Sequence, residues 1–268
     1  MAFVNRQDAR IYWNSLGKGE PVVLLMGLGC SSAMWFRIAP YLARNHRVIL
    51  LDNRGSGQTQ TNPALVHRIT AMAQDVAAVL DAAGEPSAHM VGFSMGGMIA
   101  QQFAVDYPNR LKSLALLGTQ PGYPWATQAA RPVMRLLFEK VKMSAEESLR
   151  QMRPHTYSRH TADTLFEEDA LVRLANTPTT RDYQAQLYGL FYWSVYSQLP
   201  HFKVPTLVMH GQEDALIPIE NGRLIASRIP GARLVELEKA SHWLMTDTHA
   251  DCIKTLQQHL KSINKCTT

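Results

Sequence analysis

VGFSMGG, residues 91–97, closes an apolar run and sets Ser94 between glycines two positions before and two positions after it. Glycine costs backbone entropy on folding, so three within six residues (Gly92, Gly96 and Gly97) point to a geometry that a side chain would obstruct. The run before it, AHMVGF at 88–93, reads as a strand buried on both faces, and MGGMIAQQFAVDYP after it reads as a helix. A strand, a tight turn and a helix form the context in which a G-x-S-x-G serine is presented as a nucleophile. A structural serine at a glycine turn is the competing reading.

Outward from this stretch the same rhythm repeats. VVLLMG (22–27), RVILLD (47–52) and SLALLG (113–118) are further short apolar runs, and between them lie helix-length segments such as TAMAQDVAAVLDAAG, with Gly84 suited to the stop. Strand and helix in alternation predict a parallel sheet with helices on both faces. AFVN and ARIYWNSL, joined through RQD, read as an antiparallel hairpin at its edge. From about Pro121 to Pro200 only helical patterns appear, separated by RP and NTPTT; then VPTLVMHG and ARLVEL restore the strand signal around a short helix, NGRLIASRIPG. The fold class expected is α/β: a mostly parallel eight-stranded sheet built from 1–120 and 201–268, with 121–200 inserted as a helical cap that needs a surface to cover.

Composition narrows the function classes. The chain has 268 residues, 46% hydrophobic and 18% charged, which is the profile of an ordinary globular protein able to bury a full core. Its formal net charge is +5, yet the basic residues are interleaved with acids, as in LFEKVKMSAEESLRQMRP, so neither a nucleic acid nor a membrane surface is expected as partner. Cys30, Cys252 and Cys266 are too few and too widely spaced for a disulfide framework and form no CxxC pair, so they read as reduced thiols. MAFVNRQDARIYW is not of signal-peptide type, and the uncharged stretch from Pro86 to Val105 is broken by Ser, His, Gln and Gly. A cytoplasmic protein is the expectation.

A carboxylate and a histidine follow the serine. QEDALIP after VPTLVMHG places Asp214 just past a strand on a loop closed by Pro218, and EKASHWLM after ARLVEL places His242 on the loop before the last helix. Ser, then Asp, then His, each beyond the C-terminal end of a strand, is the chain order of a hydrolase triad on an open α/β sheet, at the edge where ligands bind. With GFSMGG, GQEDALIP, ASHW and LDNRGSGQT, the sequence resembles the α/β-hydrolase superfamily over nearly its whole length outside the insertion, and its core looks most like the enol-lactonase and small carboxylesterase branch. That resemblance implies Ser94 as nucleophile, His242 as general base and then acid, Asp214 as its orienting partner, and the backbone N–H groups of Leu28 and Met95 as oxyanion donors. This chain departs from many relatives in carrying Met26-Gly27 where they have His-Gly. Glu213 adjoins Asp214, but the G-x-x-D-x-x-x-P register from Gly211 to Pro218 favours Asp214. His89 and His210 read as packing or strand-end residues. Nothing resembles a metal cluster, so no metal and no cofactor is expected. Serine at 94 also argues against the dehalogenase and epoxide-hydrolase branches, which use a carboxylate there.

The expected function is therefore hydrolysis of a carboxylic ester or lactone of a small, largely apolar substrate through an acyl-enzyme. Thioesters and C–C bonds beside carbonyls are reachable by the same triad, and a ligand sensor that has lost turnover is a third reading. The insertion offers no obvious constellation for a charged amine or a carboxylate-rich substrate. GLGCSS imitates the dinucleotide motif, with Asp52 placed like a ribose-binding acid, but Ser32 replaces the third glycine and Ser94, Asp214 and His242 go unexplained. In QLYGLFYWSVYSQL the residues Tyr188, Phe191, Tyr192, Val195, Tyr196 and Leu199 fall on one helical stripe, which either packs on the core or lines a pocket. Tyr188, Phe191 and Tyr192, with Trp243, are the candidate pocket residues. The expected partner is the small-molecule substrate, and a homodimer is left open.

Overall fold

In the computed structural model, which describes residues 2–264, the apolar runs form one sheet. Its strands are β1 (Ala2–Asn5), β2 (Ala9–Leu16), β3 (Glu20–Leu25), β4 (His46–Leu51), β5 (Gln60–Thr61), β6 (Ala88–Phe93), β7 (Leu111–Leu117), β8 (Thr206–Gly211) and β9 (Arg233–Leu237). Eight of them run in the order β1-β2-β4-β3-β6-β7-β8-β9, and β5 pairs with β2 off this path. From β4 to β9 every neighbouring pair is parallel, whereas β1, β2 and β5 pair antiparallel at one side. Burial explains the division. Every residue of β6 and β8 is buried, as a parallel strand covered on both faces requires, while the edge strand β1 alternates between partly buried and exposed. β5 is a correction to the eight-strand expectation: two residues are too few to leave a periodic signal.

Helices α1 (Ala39–Leu42), α2 (Ile69–Ala83) and α3 (Met95–Asp106) alternate with the first strands, and α4 (Arg131–Glu139), α5 (Ala145–Thr156), α6 (Asp163–Ala175) and α7 (Thr180–Phe191) lie between β7 and β8. After β8 come α8 (Glu220–Arg228), α9 (Leu244–Asp247) and α10 (His249–Asn264). Alternate strand residues face opposite layers. Val23 and Leu25 of β3 pack with Val76, Leu80, Ile99 and Phe103 of α2 and α3, whereas Val22 and Leu24 pack with Leu42, Leu256 and Leu260 of α1 and α10. Each such buried side chain contributes about 1.5–3 kcal/mol relative to exposure. In the insertion, Ser144 and Thr179 cap α5 and α7 by accepting from Glu147 N–H and Asp182 N–H, the S-x-x-E and T-x-x-D signatures of a helix start.

The stripe read across QLYGLFYWSVYSQL is not one helix. α7 ends at Phe191, Ser194 bridges to Gly122, and a separate 3₁₀ turn begins at Tyr196. The Pro121 carbonyl accepts from both the Val195 N–H and the Ser194 hydroxyl at 3.1 Å, so the backbone bonding that would continue the helix goes elsewhere. Val195 and Leu199 pack in the core, Tyr196 stacks on Trp125 at 4.4 Å between ring centroids, and Tyr192 is 98% exposed. Among the described residues no helix is long and apolar enough to cross a membrane. Cys30 and Cys252 are free and buried; Cys266 lies outside the described residues.

Candidate active site

Ser94 sits between β6 and α3 with φ 54 and ψ −120, the single non-glycine residue with positive φ among those described. Such a conformation costs on the order of 1–3 kcal/mol and persists only where its surroundings enforce it. The flanking glycines are part of that enforcement. A Cβ on Gly92 would meet Gly97 Cα at 2.7 Å and, closer still, the Gly96 carbonyl; one on Gly96 would meet the Met26 carbonyl at 2.9 Å and Leu25 closer still. The Ser94 N–H donates to Leu117 O at 2.9 Å, and the Thr119 hydroxyl donates to Ser94 O at 2.7 Å. The opening pattern thus sets the serine at the C-terminal edge of the sheet with its side chain raised toward the loops after β8 and β9.

Those loops bring the other two residues to it. His242 Nε2 lies 3.1 Å from Ser94 Oγ, and His242 Nδ1 lies 2.8 Å from Asp214 Oδ2. A carboxylate can only accept, so Nδ1 carries the proton and Nε2 is left as acceptor for the serine hydroxyl. Asp214 is further held by Leu216 N–H and Ile217 N–H, which donate to Oδ1 at 3.0 and 2.8 Å. Burial alone would push this carboxyl up, but His242 and His210 outweigh it and hold it at about 2. His210, read from sequence as a packing residue, is fully buried, donates from Nε2 to Ile217 O at 2.8 Å and stands 3.5 Å from Asp214 Oδ2. Glu213 faces elsewhere: its carboxylate accepts from Ser158 Oγ at 2.8 Å. His242 packs on Phe93 with centroids 4.9 Å apart, and its loop is fixed by Ser241 N–H to Asp247 at 2.7 Å and by Trp243 N–H to Thr156 O at 2.8 Å.

The loop after β3 passes beside the serine; a Cβ on Gly27 would come within 3.1 Å of Ser94 Cβ. Leu28 N–H finds no acceptor among the described residues, and Met95, first in α3, has no carbonyl one turn back within its helix. Both donors are thus available to an oxyanion. Support for this loop, which Met26-Gly27 left unassigned in the sequence, comes from two amides. Asn53 Nδ2 donates to Met26 O at 2.8 Å, and fully buried Gln186 of α7 accepts from Gly29 N–H at 2.8 Å while donating to Arg54 O at 2.6 Å and Ser56 Oγ at 2.8 Å. Asp52 is committed here too. Its oxygens accept from Ser32 N–H, Ser32 Oγ and Gln58 N–H, each at 2.7 Å, so it ties two loops together and is not free for a ribose.

A cavity of about 250 Å³ opens above Ser94, walled by Met95, Met98, Leu187, Leu190, Phe191 and Trp243 among others. Of the four pocket candidates Phe191 and Trp243 lie in this wall, but Tyr188 and Tyr192 do not; they are 45% and 98% exposed. Helical spacing is the reason. Tyr183, Leu187, Leu190 and Phe191 follow one another at four, three and one along α7 and share its inner side, which turns Tyr188 and Tyr192 outward. The expectation of no charged recognition group also fails, since Lys140 and Arg173 line the same cavity beside Cys30 and Tyr183. They come from separate helical segments, so no local motif announced them.

The family profile described as alpha/beta hydrolase fold matches residues 20–249. A 2-hydroxy-6-oxo-6-phenylhexa-2,4-dienoate hydrolase from Burkholderia cepacia is 31% identical over 92% of this chain and 89% of its own length. A pimeloyl-acyl-carrier protein methyl ester esterase from Chromobacterium violaceum is 30% identical over 94% of this chain and 98% of its own. The solved structure of an esterase from Exiguobacterium antarcticum superposes with a TM-score of 0.86, covering 97% of this chain and 98% of its own at 24% identity, a likeness of fold.

Proposed function

The chain belongs to the alpha/beta hydrolase fold family, and from that premise we propose that it hydrolyses a carboxylic ester or lactone through an acyl-enzyme formed on Ser94. The observation that carries this reading is the continuous relay from Ser94 Oγ through His242 at 3.1 Å to Asp214 at 2.8 Å. A serine hydroxyl is a poor nucleophile until an adjacent imidazole takes its proton. His242 Nε2 accepts that proton as Oγ attacks the ester carbonyl, and Asp214 favours the imidazolium that results. The carbonyl oxygen becomes an oxyanion between Leu28 N–H and Met95 N–H, where unpaired donors and the α3 dipole favour negative charge. As the tetrahedral centre collapses, the C–O bond to the alcohol breaks and His242 returns the proton to the leaving oxygen. Water then repeats the sequence on the acyl-enzyme and releases the acid. The helices of 121–200 act as a cap whose apolar residues keep bulk water from the oxyanion.

Stopped-flow mixing with p-nitrophenyl acetate tests this. The expected result is a burst of p-nitrophenol equal to the enzyme concentration, lost in Ser94→Ala. Turnover in the variant at the wild-type rate would remove Ser94 from the mechanism. The dienoate hydrolase among the relatives favours a second reading, cleavage of a C–C bond beside a ketone by the same residues. Turnover of such a ketone well above that of esters would select it.

A further inference from the structure

The geometry points to Lys140 and Arg173 as a carboxylate subsite, so that the ester cleaved at Ser94 carries a second, ionised carboxyl group. This inference rests on the reading of Ser94 as the nucleophile. Both cations line the cavity that contains Ser94 and His242, and both also lie in the wall of a second cavity of about 210 Å³, together with Tyr183. They therefore stand on the partition between the two spaces, reachable by a substrate whose ester end lies at the serine.

What marks them, at the wall of the cavity that holds Ser94, is the lack of a salt-bridge partner. Two other cations with buried side chains are neutralised: Arg54 meets Asp75 at 2.6 Å and Asp8 at 2.7 Å, and Arg37 meets Glu168 at 2.8 Å and Asp169 at 3.1 Å. Among the described residues, Lys140 and Arg173 form no salt bridge. Lys140 Nζ lies over the Tyr183 ring at 4.6 Å and the Arg173 guanidinium over Trp243 at 4.9 Å, contacts that orient a cation without supplying a negative charge. The acid nearest Arg173 along α6 is Asp169, one turn before it, and that carboxylate is taken up by Arg37, Tyr157 and Thr246. The remaining polar neighbours are the Cys30 thiol and the Tyr157 and Tyr183 hydroxyls. Two like charges side by side in an apolar cavity repel each other and lose hydration, which an anion between them relieves on both counts. A carboxylate fits because the surrounding wall admits a small organic chain and the ester end already requires an acyl or alcohol tail.

The test compares p-nitrophenyl esters of straight-chain acids, four to eight carbons long, with esters of the same length ending in a free carboxylate. Wild type is expected to favour the carboxylate-bearing ester by tenfold or more in kcat/KM at one chain length. That ratio is expected to fall about tenfold or more in Lys140→Met and in Arg173→Met, and to survive in Lys140→Arg. Because Arg173 also contacts Tyr157, the Lys140 pair decides if Arg173→Met does not fold. Neutral esters turned over with no preference at any length, or a preference that persists in Lys140→Met, would overturn the subsite while leaving the hydrolase reading intact. Absence of all ester turnover would count against the nucleophile instead. Calorimetric titration of Ser94→Ala with glutarate and with adipate then judges the subsite alone: it stands if one binds and binding weakens about tenfold on adding Lys140→Met, and falls otherwise.

Discussion

If Lys140 is an unpaired cation in an apolar wall, removing its charge will stabilise the fold. Burial, with a further contribution from Arg173 and a partial offset from Cys30, lowers its ammonium from 10.5 to about 8. That drop corresponds to about 3 kcal/mol of penalty on the charged form, an upper bound because the ammonium borders a cavity that holds water. A base whose folded value is depressed lacks stability at low pH. The deficit is full below about 8, shrinks as the folded-state ammonium deprotonates, and is gone near 10.5, where the unfolded chain also loses its proton. With about 1–1.5 kcal/mol of that bound realised next to the hydrated cavity, Lys140→Met should raise Tm at pH 6–7 by about 2–6 °C, since 1 kcal/mol shifts a chain of this size by roughly 2–4 °C. The gain should shrink to less than half by about pH 9.5 and close only near 10.5. The groups facing Lys140 are Arg173, Cys30 and Tyr183, so the comparison is made in a Cys30→Ser background to keep the thiol's own titration out of it. Thermal melts followed by circular dichroism at the two pH values suffice. A lower Tm at pH 6–7 would mean that the ammonium is compensated after all, because breaking a buried pair typically costs about 3–5 kcal/mol, and a gain independent of pH would refer the effect to packing.

Ser94→Ala should abolish labelling by a fluorophosphonate and reduce kcat on the order of a million-fold, and mass spectrometry placing the adduct on another serine would refute the assignment. Gln186→Met removes the acceptor of Gly29 N–H and both loop donors, so kcat should fall about 10–100-fold with KM little changed, as a misplaced oxyanion donor would cause; an unchanged kcat would free the loop from α7. Asp214→Asn should cost about ten-thousand-fold in kcat by imposing the wrong histidine tautomer. Glu213→Gln should cost less than about tenfold because an amide oxygen still accepts from Ser158, and a crippled Glu213→Gln would move the acid by one residue. Acid stability follows from Asp214, held at about 2 in the fold against 3.8: its contribution is present above 3.8 and lost as pH falls from there toward 2, so urea midpoints of wild type should decline over that window more steeply than those of Asp214→Asn.

How far a sequence discloses a site depends on how locally each residue is encoded. Ser94, Asp214 and His242 were legible because each stands one loop beyond an apolar run, and the parallel sheet brings such loops to one edge. The pocket was not. α7 carries aromatics on both sides, and only the docked helix shows that Leu187, Leu190 and Phe191 face the cavity while Tyr188 and Tyr192 face solvent. Asp52 looked like a ribose ligand because its role depends on accepting backbone N–H groups from Ser32 and Gln58, a contact with no residue-type signature. Lys140 and Arg173 are ordinary surface residues until two separate helical segments set them in one cavity.

The same three-dimensional encoding binds the insertion to three of the loops around the candidate site, those of Leu28, Asp214 and His242. Gln186 reaches the loop of Leu28, Ser158 reaches Glu213 beside the acid, the Thr156 carbonyl receives Trp243 N–H beside the histidine, and Thr161 donates to Asp247, which in turn accepts from Ser241 N–H. Burial raises Asp247 to about 6, so near neutrality this tether holds a carboxylate in a poorly hydrated place and depends on those donors to keep it there. Each broken tether leaves a buried polar group unsatisfied at about 1–3 kcal/mol, so the helices cannot lift away as a free lid without disturbing the loops below. The cavity wall supplied by the insertion and the candidate triad on the sheet are therefore mechanically coupled. A relative's insertion grafted here would have to bring counterparts of Gln186, Ser158 and Thr156, or change kcat along with specificity.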